Sequence, residues 1–295
     1  TGTDPFFSLT IAPAIKRAWP STKIVHWCHD LYPEALAADG RLTRRNPVYR
    51  TLARAMNDAY RRCDLIASIG PCMRERLATR SPARLITLTP WALWEPEEPA
   101  TTDIAARRRL FGDAKLALLY SGNYGRAHDA EPFLALARSL DDAPIRLAFA
   151  ARGPRFNEFC ASAAGLANVT TTGFVDAKEL GSHLGTADVM LASLRPEWTG
   201  IVVPSKFFGA LAAGRPVLYT GAPESSIARW IRQYAVGWVM TPDTTGAIAN
   251  EMCALAANPA RHLELRRHCH AVYQHNFSRH AVLPAFLSEL RKLLG

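Results

Sequence analysis

Short apolar runs recur along the chain, and most are separated by longer stretches with helical periodicity. The runs are KIVHWCHD (23–30), DLIASIG (64–70), ARLITLTP (83–90), LALLYSG (116–122), IRLAFAA (145–151), NVTTTGFV (168–175), ADVMLASL (187–194) and VLYTG (217–221). Near-continuous apolar strands fit a parallel sheet covered on both faces, because alternation would be needed only if one face met water. Strands that alternate with helices join through crossovers, so the pattern predicts an α/β protein of doubly wound sheets. A length of 295 residues exceeds one typical domain and predicts two. The stretch WALWEPEEPATTD (91–103) has no periodicity and reads as the linker between them. Near the end, Val282, Leu283, Phe286, Leu287, Leu290, Leu293 and Leu294 recur at helical spacing, as a packing helix or a membrane-surface helix.

The six cysteines form no CxxC pair and read as reduced thiols, and no residue cluster has metal-ligand spacing. No stretch reaches membrane-spanning length. No leader pattern is visible, so a cytoplasmic location is expected. The net charge of +9 suits an acidic partner, whether nucleic acid, an anionic membrane or a phosphorylated substrate. Arg41, Arg44, Arg45, Arg50, Arg54, Arg61 and Arg62 crowd one segment against a single acid, Asp58. They form either a solvated helix face or a patch that docks peripherally on the inner face of an anionic membrane. No reading motif or interleaved aromatics point to nucleic acid.

Ligands of doubly wound sheets bind beyond the carboxyl ends of strands, and phosphates favour helix amino termini. Two loops fit. SGNYGRAHD (121–129) follows a strand and carries Gly122 and Gly125, which serve either a tight turn or the close approach of an anion. It is neither a dinucleotide fingerprint nor a P-loop. In GIVVPSKFFGALAAGRPV (200–217), Pro204 suits a first helical turn. Ser205 and Lys206 then lie among free backbone amides, a set that would hold a diphosphate. Gly214 caps the helix, and Arg215 and Pro216 turn the chain into the next strand. His26 lies within a strand and reads as structural.

With HDLYPEAL (29–36), LTPWA (88–92), YSGNYGRAHD (120–129), GFVDAKEL (173–180), ADVMLASLRP (187–196) and VVPSKFFGALAAGRPV (202–217), the chain resembles the family 4 (group 1) glycosyltransferases. It is most similar to those that build bacterial O-antigen, capsule and exopolysaccharide. The resemblance spans nearly the whole chain. It implies the GT-B fold: an acceptor-side Rossmann-like domain (1–97, incomplete), a nucleotide-sugar-binding one (98–275), and a terminal helix (276–295) packing back towards the first. A strand-rich front segment with a glycine-rich acceptor loop is expected to be missing ahead of TGTDPFFS.

The resemblance also implies the function: transfer of a sugar, with retention, from a nucleoside diphosphate to a lipid-linked or glycan acceptor. Uridine is the expected base ahead of guanosine, and neither cofactor nor metal is required. Gly122, Asn123, Gly125, Arg126, Ser205 and Lys206 would hold the donor diphosphate. Phe174 and Val175 would hold the nucleobase. His29 and Asp30 would meet the transferred sugar or the acceptor hydroxyl. Glu224 and Glu197 are the acids left to grip ribose or sugar, because the glutamate pair of many members falls here on Ile201 and Gly209. The cations of the family's phosphate loop fall on Asn123 and His128, with Arg126 between. Two alternatives accompany this reading: a non-catalytic nucleotide-sugar-binding subunit, and a UDP-amino-sugar epimerase.

Overall fold

The computed structural model describes all 295 residues. It is α/β, with two all-parallel sheets. β1 (Val25–Cys28), β2 (Leu65–Ser68) and β3 (Arg84–Thr87) form the smaller, in the order β1-β2-β3. β4 (Leu116–Asn123), β5 (Ile145–Arg152), β6 (Val169–Thr172), β7 (Val189–Ser193), β8 (Val217–Thr220) and β9 (Gly237–Met240) form the larger, in the order β6-β5-β4-β7-β8-β9. The expected strands form. β9 was not anticipated; its GWVM run is a short edge strand opening on glycine.

The chain divides into two compact units. One holds Thr1–Pro90, Pro196–Val203 and Arg279–Gly295, and the other Trp91–Arg195 and Pro204–Ser278. In the first, β2 is buried along its length, as a central strand must be. Thr1 donates its backbone N–H to Val25 O and accepts from Trp27 N, so the opening residues run along the outer edge of β1. The helix Pro47–Arg61 starts where the Asn46 side chain accepts from Val48 N, with proline at N1. It buries Tyr49, Met56 and Tyr60 on one face and leaves Arg50, Arg54 and Arg61 exposed. The segment Pro196–Val203 is fastened by Leu31 N donating to Ile201 O at 3.0 Å. The helix Arg279–Leu294 buries no residue fully; Arg84 Nε meets Glu289 Oε2 at 2.5 Å. Leu287 and Leu294 of its apolar repeat are exposed. No helix is long and apolar enough to cross a membrane.

In the second unit the apolar strands β4 and β5 pack against Phe133, Leu136 and Phe159. The acidic, proline-rich segment expected to be a plain linker is ordered here. Its polar groups find partners on the helix Pro259–Asn276: Tyr273 Oη accepts from Ala92 N and donates to Glu95 Oε1, and Gln274 Nε2 donates to Pro96 O. Arg215 does more than turn the chain. It is 0% exposed and donates to five carbonyls, those of Ala100, Gly185, Ala187, Ala213 and Gly214. A buried guanidinium persists when all its donors are used, and this one closes carbonyls from three separate stretches of chain.

Candidate functional site

The strand order reverses between β4 and β7, so their carboxyl ends, Asn123 and Ser193, flank the crevice where such sheets bind ligands. The loop after β4 is tied down on both sides. Tyr124 N donates to Arg152 O of β5 at 2.6 Å. On the other side His128 Nδ1 lies 2.7 Å from Ser193 O, and Asp129 N donates to Ser193 Oγ at 3.2 Å. Burial, with the Lys206 charge adding to it, pushes the His128 pKa down to about 4, so the ring is neutral and Nδ1–H is the donor. Between these anchors Asn123 and Arg126 are exposed and Gly122 and Gly125 half-buried.

The helix Lys206–Ala212 brings Lys206 to this loop. Its back is fixed by aromatic packing: Phe207 stacks on Trp230 at 5.6 Å, and Phe208 meets Phe277 edge-on at 5.5 Å. Lys206 Nζ donates to Asn123 O at 2.8 Å and lies 5.0 Å from the Tyr120 ring centroid. Burial lowers its pKa to about 8. Gly122 has φ +115, and a Cβ there would lie 3.4 Å from Lys206 Cε, so glycine serves both the turn and the close approach of the lysine. Of the amides at this helix start, those of Phe207 and Phe208 are bonded. Phe207 N donates to Pro204 O and Phe208 N to Ser205 O, and Pro204 lies before the helix. The Lys206 ammonium and the exposed Ser205 side chain stand at this helix start.

The structure thus joins Gly122, Asn123 and Lys206 directly and keeps Gly125, Arg126 and Ser205 beside them in the chain. Phe174 and Val175 follow β6, two strands from β4. Glu224 follows β8, the neighbour of β7; it is exposed, and its carbonyl accepts from Arg229 Nε at 2.8 Å. His29, Asp30 and Glu197 belong to the first unit. Thr3 Oγ1 accepts from His29 N at 2.8 Å and Asp30 N at 3.3 Å, fixing the turn after β1. Burial lowers the His29 pKa, and burial with the Asp4 charge raises Asp30 to about 6. Glu197 is exposed in the turn Pro196–Trp198, and Ile201 is buried. His26 is buried in β1, its pKa pushed down by burial to about 4.

The residues from β4 to just beyond Ala257 carry a recognisable pattern: the family described as glycosyl transferases group 1 matches residues 115–258. A probable glycosyltransferase of Pseudomonas aeruginosa, WbjE, is 26% identical over 303 residues, covering 100% of this chain and 74% of its own. Residues 115–258 of the chain thus match the group 1 glycosyltransferases. Members of this family transfer sugar with retention of configuration at the anomeric carbon. Solved structures agree on the GT-B fold. WaaG, a glycosyltransferase involved in lipopolysaccharide biosynthesis, matches with a TM-score of 0.66 at 14% identity, over 93% of this chain and 79% of its own. HepE of Anabaena, solved with UDP, matches with a TM-score of 0.69 at 12% identity, over 96% of this chain and 76% of its own.

Arg152 was missed in the sequence. It ends β5, and its guanidinium carbon lies 4.0 Å from the Phe174 ring centroid. The only signal was its place before a Gly-Pro at a strand end.

Proposed function

We propose that this group 1 glycosyltransferase moves a sugar from a UDP-sugar to a lipid-linked saccharide in bacterial surface polysaccharide synthesis. The observation that carries the donor half is the Lys206–Asn123–Gly122 constellation at the strand-order reversal, where a fixed cation meets a glycine-lined loop. The donor diphosphate is held by Lys206, Ser205, Arg126 and the backbone about Gly122, Asn123 and Gly125. As the bond from C1 of the sugar to the diphosphate oxygen breaks, charge grows on the leaving phosphate, and a cation already in place stabilises it without reorganisation. Phe174 and Val175 receive the base, and Glu224 and Glu197 are the candidate partners of ribose or sugar hydroxyls. His29 and Asp30 act on the transferred sugar or the acceptor hydroxyl. Uridine is favoured because HepE and the pneumococcal O-GlcNAc transferase GtfA were both solved with UDP. The polysaccharide assignment draws on the likeness to WbjE and WaaG.

Arg41, Arg44, Arg45, Arg50 and Arg54 are all exposed, and Arg41 alone of these pairs with an acid, Asp39 at 2.7 Å. They supply a docking face for an anionic membrane, worth about 1 kcal/mol per arginine near such a surface. Binding to phosphatidylglycerol vesicles that salt reverses, and that phosphatidylcholine vesicles do not support, tests this part.

The central experiment is calorimetric titration with UDP and GDP, on wild type and Lys206→Ala, followed by an assay of transfer and donor hydrolysis. UDP binding weakened by about tenfold or more in the variant is expected, since a hydrogen bond to a charged group contributes roughly 1.5–3 kcal/mol. UDP binding without transfer or hydrolysis would instead favour a nucleotide-sugar-binding subunit.

A further inference from the structure

The carboxyl end of β5 carries a charged side chain that the phosphate loop does not use. Arg152 stands in register with Asn123 of β4 and is exposed. No hydrogen bond or ion pair engages its guanidinium; its one contact is the ring of Phe174, 4.0 Å away. Phe174 is itself 39% exposed. Cation and ring therefore make a two-layer platform facing solvent, and core packing does not account for it.

Its position suggests a use. Neighbouring strands lie about 4.8 Å apart, so β5 is one step from the loop after β4 and β6 two steps. A nucleoside extending across the sheet from a diphosphate at Gly122 and Asn123 passes over Arg152 towards Phe174. The backbone cannot drift from this line. Arg152 O accepts from Tyr124 N at 2.6 Å, and a Cβ on Gly153 would fall 2.3 Å from Tyr124 O. Ahead of Phe174, a Cβ on Gly173 would meet nothing within 4 Å, so the platform is open there.

We propose that Arg152 is a nucleobase-binding residue of the donor site, held flat on Phe174 so that its outer face stacks on the base. The inference rests on the reading of this unit as a nucleoside-diphosphate site. Stacking uses the face of a base and not its edge. Arg152 therefore favours a nucleoside diphosphate over a bare diphosphate without choosing between bases.

The test is calorimetric titration of wild type, Arg152→Ala, Phe174→Leu and the double variant with UDP, GDP and inorganic pyrophosphate. Thermal melts check that each variant folds. Each single variant is expected to raise the Kd of UDP, and that of GDP alike, about tenfold. The double variant is expected to lose little more than either single one, because the two side chains act as one stack. Pyrophosphate affinity is expected to stay at the wild-type value. Unchanged UDP affinity in Arg152→Ala overturns the proposal. An equal loss for pyrophosphate overturns it too, by making Arg152 a phosphate ligand, as does an unequal loss for UDP and GDP, by making it an edge reader. Wild-type protein that binds none of the three overturns the donor-site reading and this inference with it.

Discussion

The Lys206 ammonium is held 5.0 Å from the centroid of the Tyr120 ring while it donates to the Asn123 carbonyl at 2.8 Å. Tyr120 is itself 0% exposed. A cation placed against a buried aromatic ring and one neutral oxygen has given up hydration without gaining a carboxylate in return. The charge is therefore left without a counter-ion beside the loop that carries Gly122 and Gly125.

If Lys206 holds the donor diphosphate as proposed, a pH dependence of binding follows. Burial holds the folded-state pKa of Lys206 at about 8, below its ordinary 10.5. Unfolded chains bind more protons between those values, so stability rises with pH across that window. Donor affinity runs the other way, because a diphosphate needs the charged lysine. The Kd of UDP is expected to be flat below about pH 8 and then to rise by up to about tenfold per pH unit as one proton must be taken up on binding. Lys206→Arg keeps its charge throughout and is expected to remove the slope. Calorimetry from about pH 6.5 to about pH 9.5 reads both.

The loop glycines separate architecture from binding. Gly153 has φ +144, and a Cβ there would lie 2.3 Å from Tyr124 O, so Gly153→Ala is expected to destabilise the second unit by about 2 kcal/mol or more. At Gly125 a Cβ would meet only Asn123 Nδ2, at 3.4 Å. Gly125→Ala is therefore expected to leave the melting temperature nearly unchanged while weakening UDP binding, because under the proposed donor site the added methyl would crowd the diphosphate. Loss of stability without loss of affinity at Gly125 would make that glycine architectural.

How much of this was legible depends on how local each cause is. Both sheets could be read because strands buried on two faces become apolar runs, and the meeting of Lys206 with the loop after β4 was foreshadowed by glycines and a lysine at strand and helix ends. The order of residues 91–97 could not, since Tyr273 and Gln274 reach them from far along the chain. Arg152 and Phe174 meet only through the pairing of β5 with β6. The bonding of the Phe207 and Phe208 amides was hidden for a different reason: a tight first turn spends them on Pro204 and Ser205. The pairing of Ile201 with Leu31 lay equally out of reach, because nothing periodic marks a segment that leaves one unit for the other.

His128 makes an acid-labile clasp. Its pKa, pushed down to about 4 mainly by burial, lies below its ordinary 6.5. Between those values the unfolded chain binds more protons, so stability is lost as pH falls through the window. The loss attributable to His128 is expected to be about 3 kcal/mol at full protonation. His128→Gln, which keeps a donor for Ser193 O, is expected to flatten that part of the slope in urea unfolding followed from about pH 7 to about pH 4. His26, also pushed down to about 4, contributes a slope of the same sign from the first unit and is untouched by the substitution.

Asp30 gives the first unit an opposite signature. Burial first, and the Asp4 charge second, raise its pKa to about 6. Its folded state binds more protons than the unfolded chain between the ordinary carboxylate value of 3.8 and about 6, so its contribution to stability falls as pH rises through that window. Asp30→Asn removes the penalty and is expected to raise stability at pH 7 by about 1–2 kcal/mol after allowance for its partial exposure. If Asp30 receives the proton of the acceptor hydroxyl, transfer requires the ionised form. The rate should then climb with pH to a plateau above about 6, and Asp30→Asn should lower it by about a hundredfold or more while UDP affinity stays unchanged. A more stable protein that still binds UDP yet no longer transfers sugar would place Asp30 in the chemistry. Retained transfer with the same gain in stability would confine it to the turn that Thr3 holds after β1.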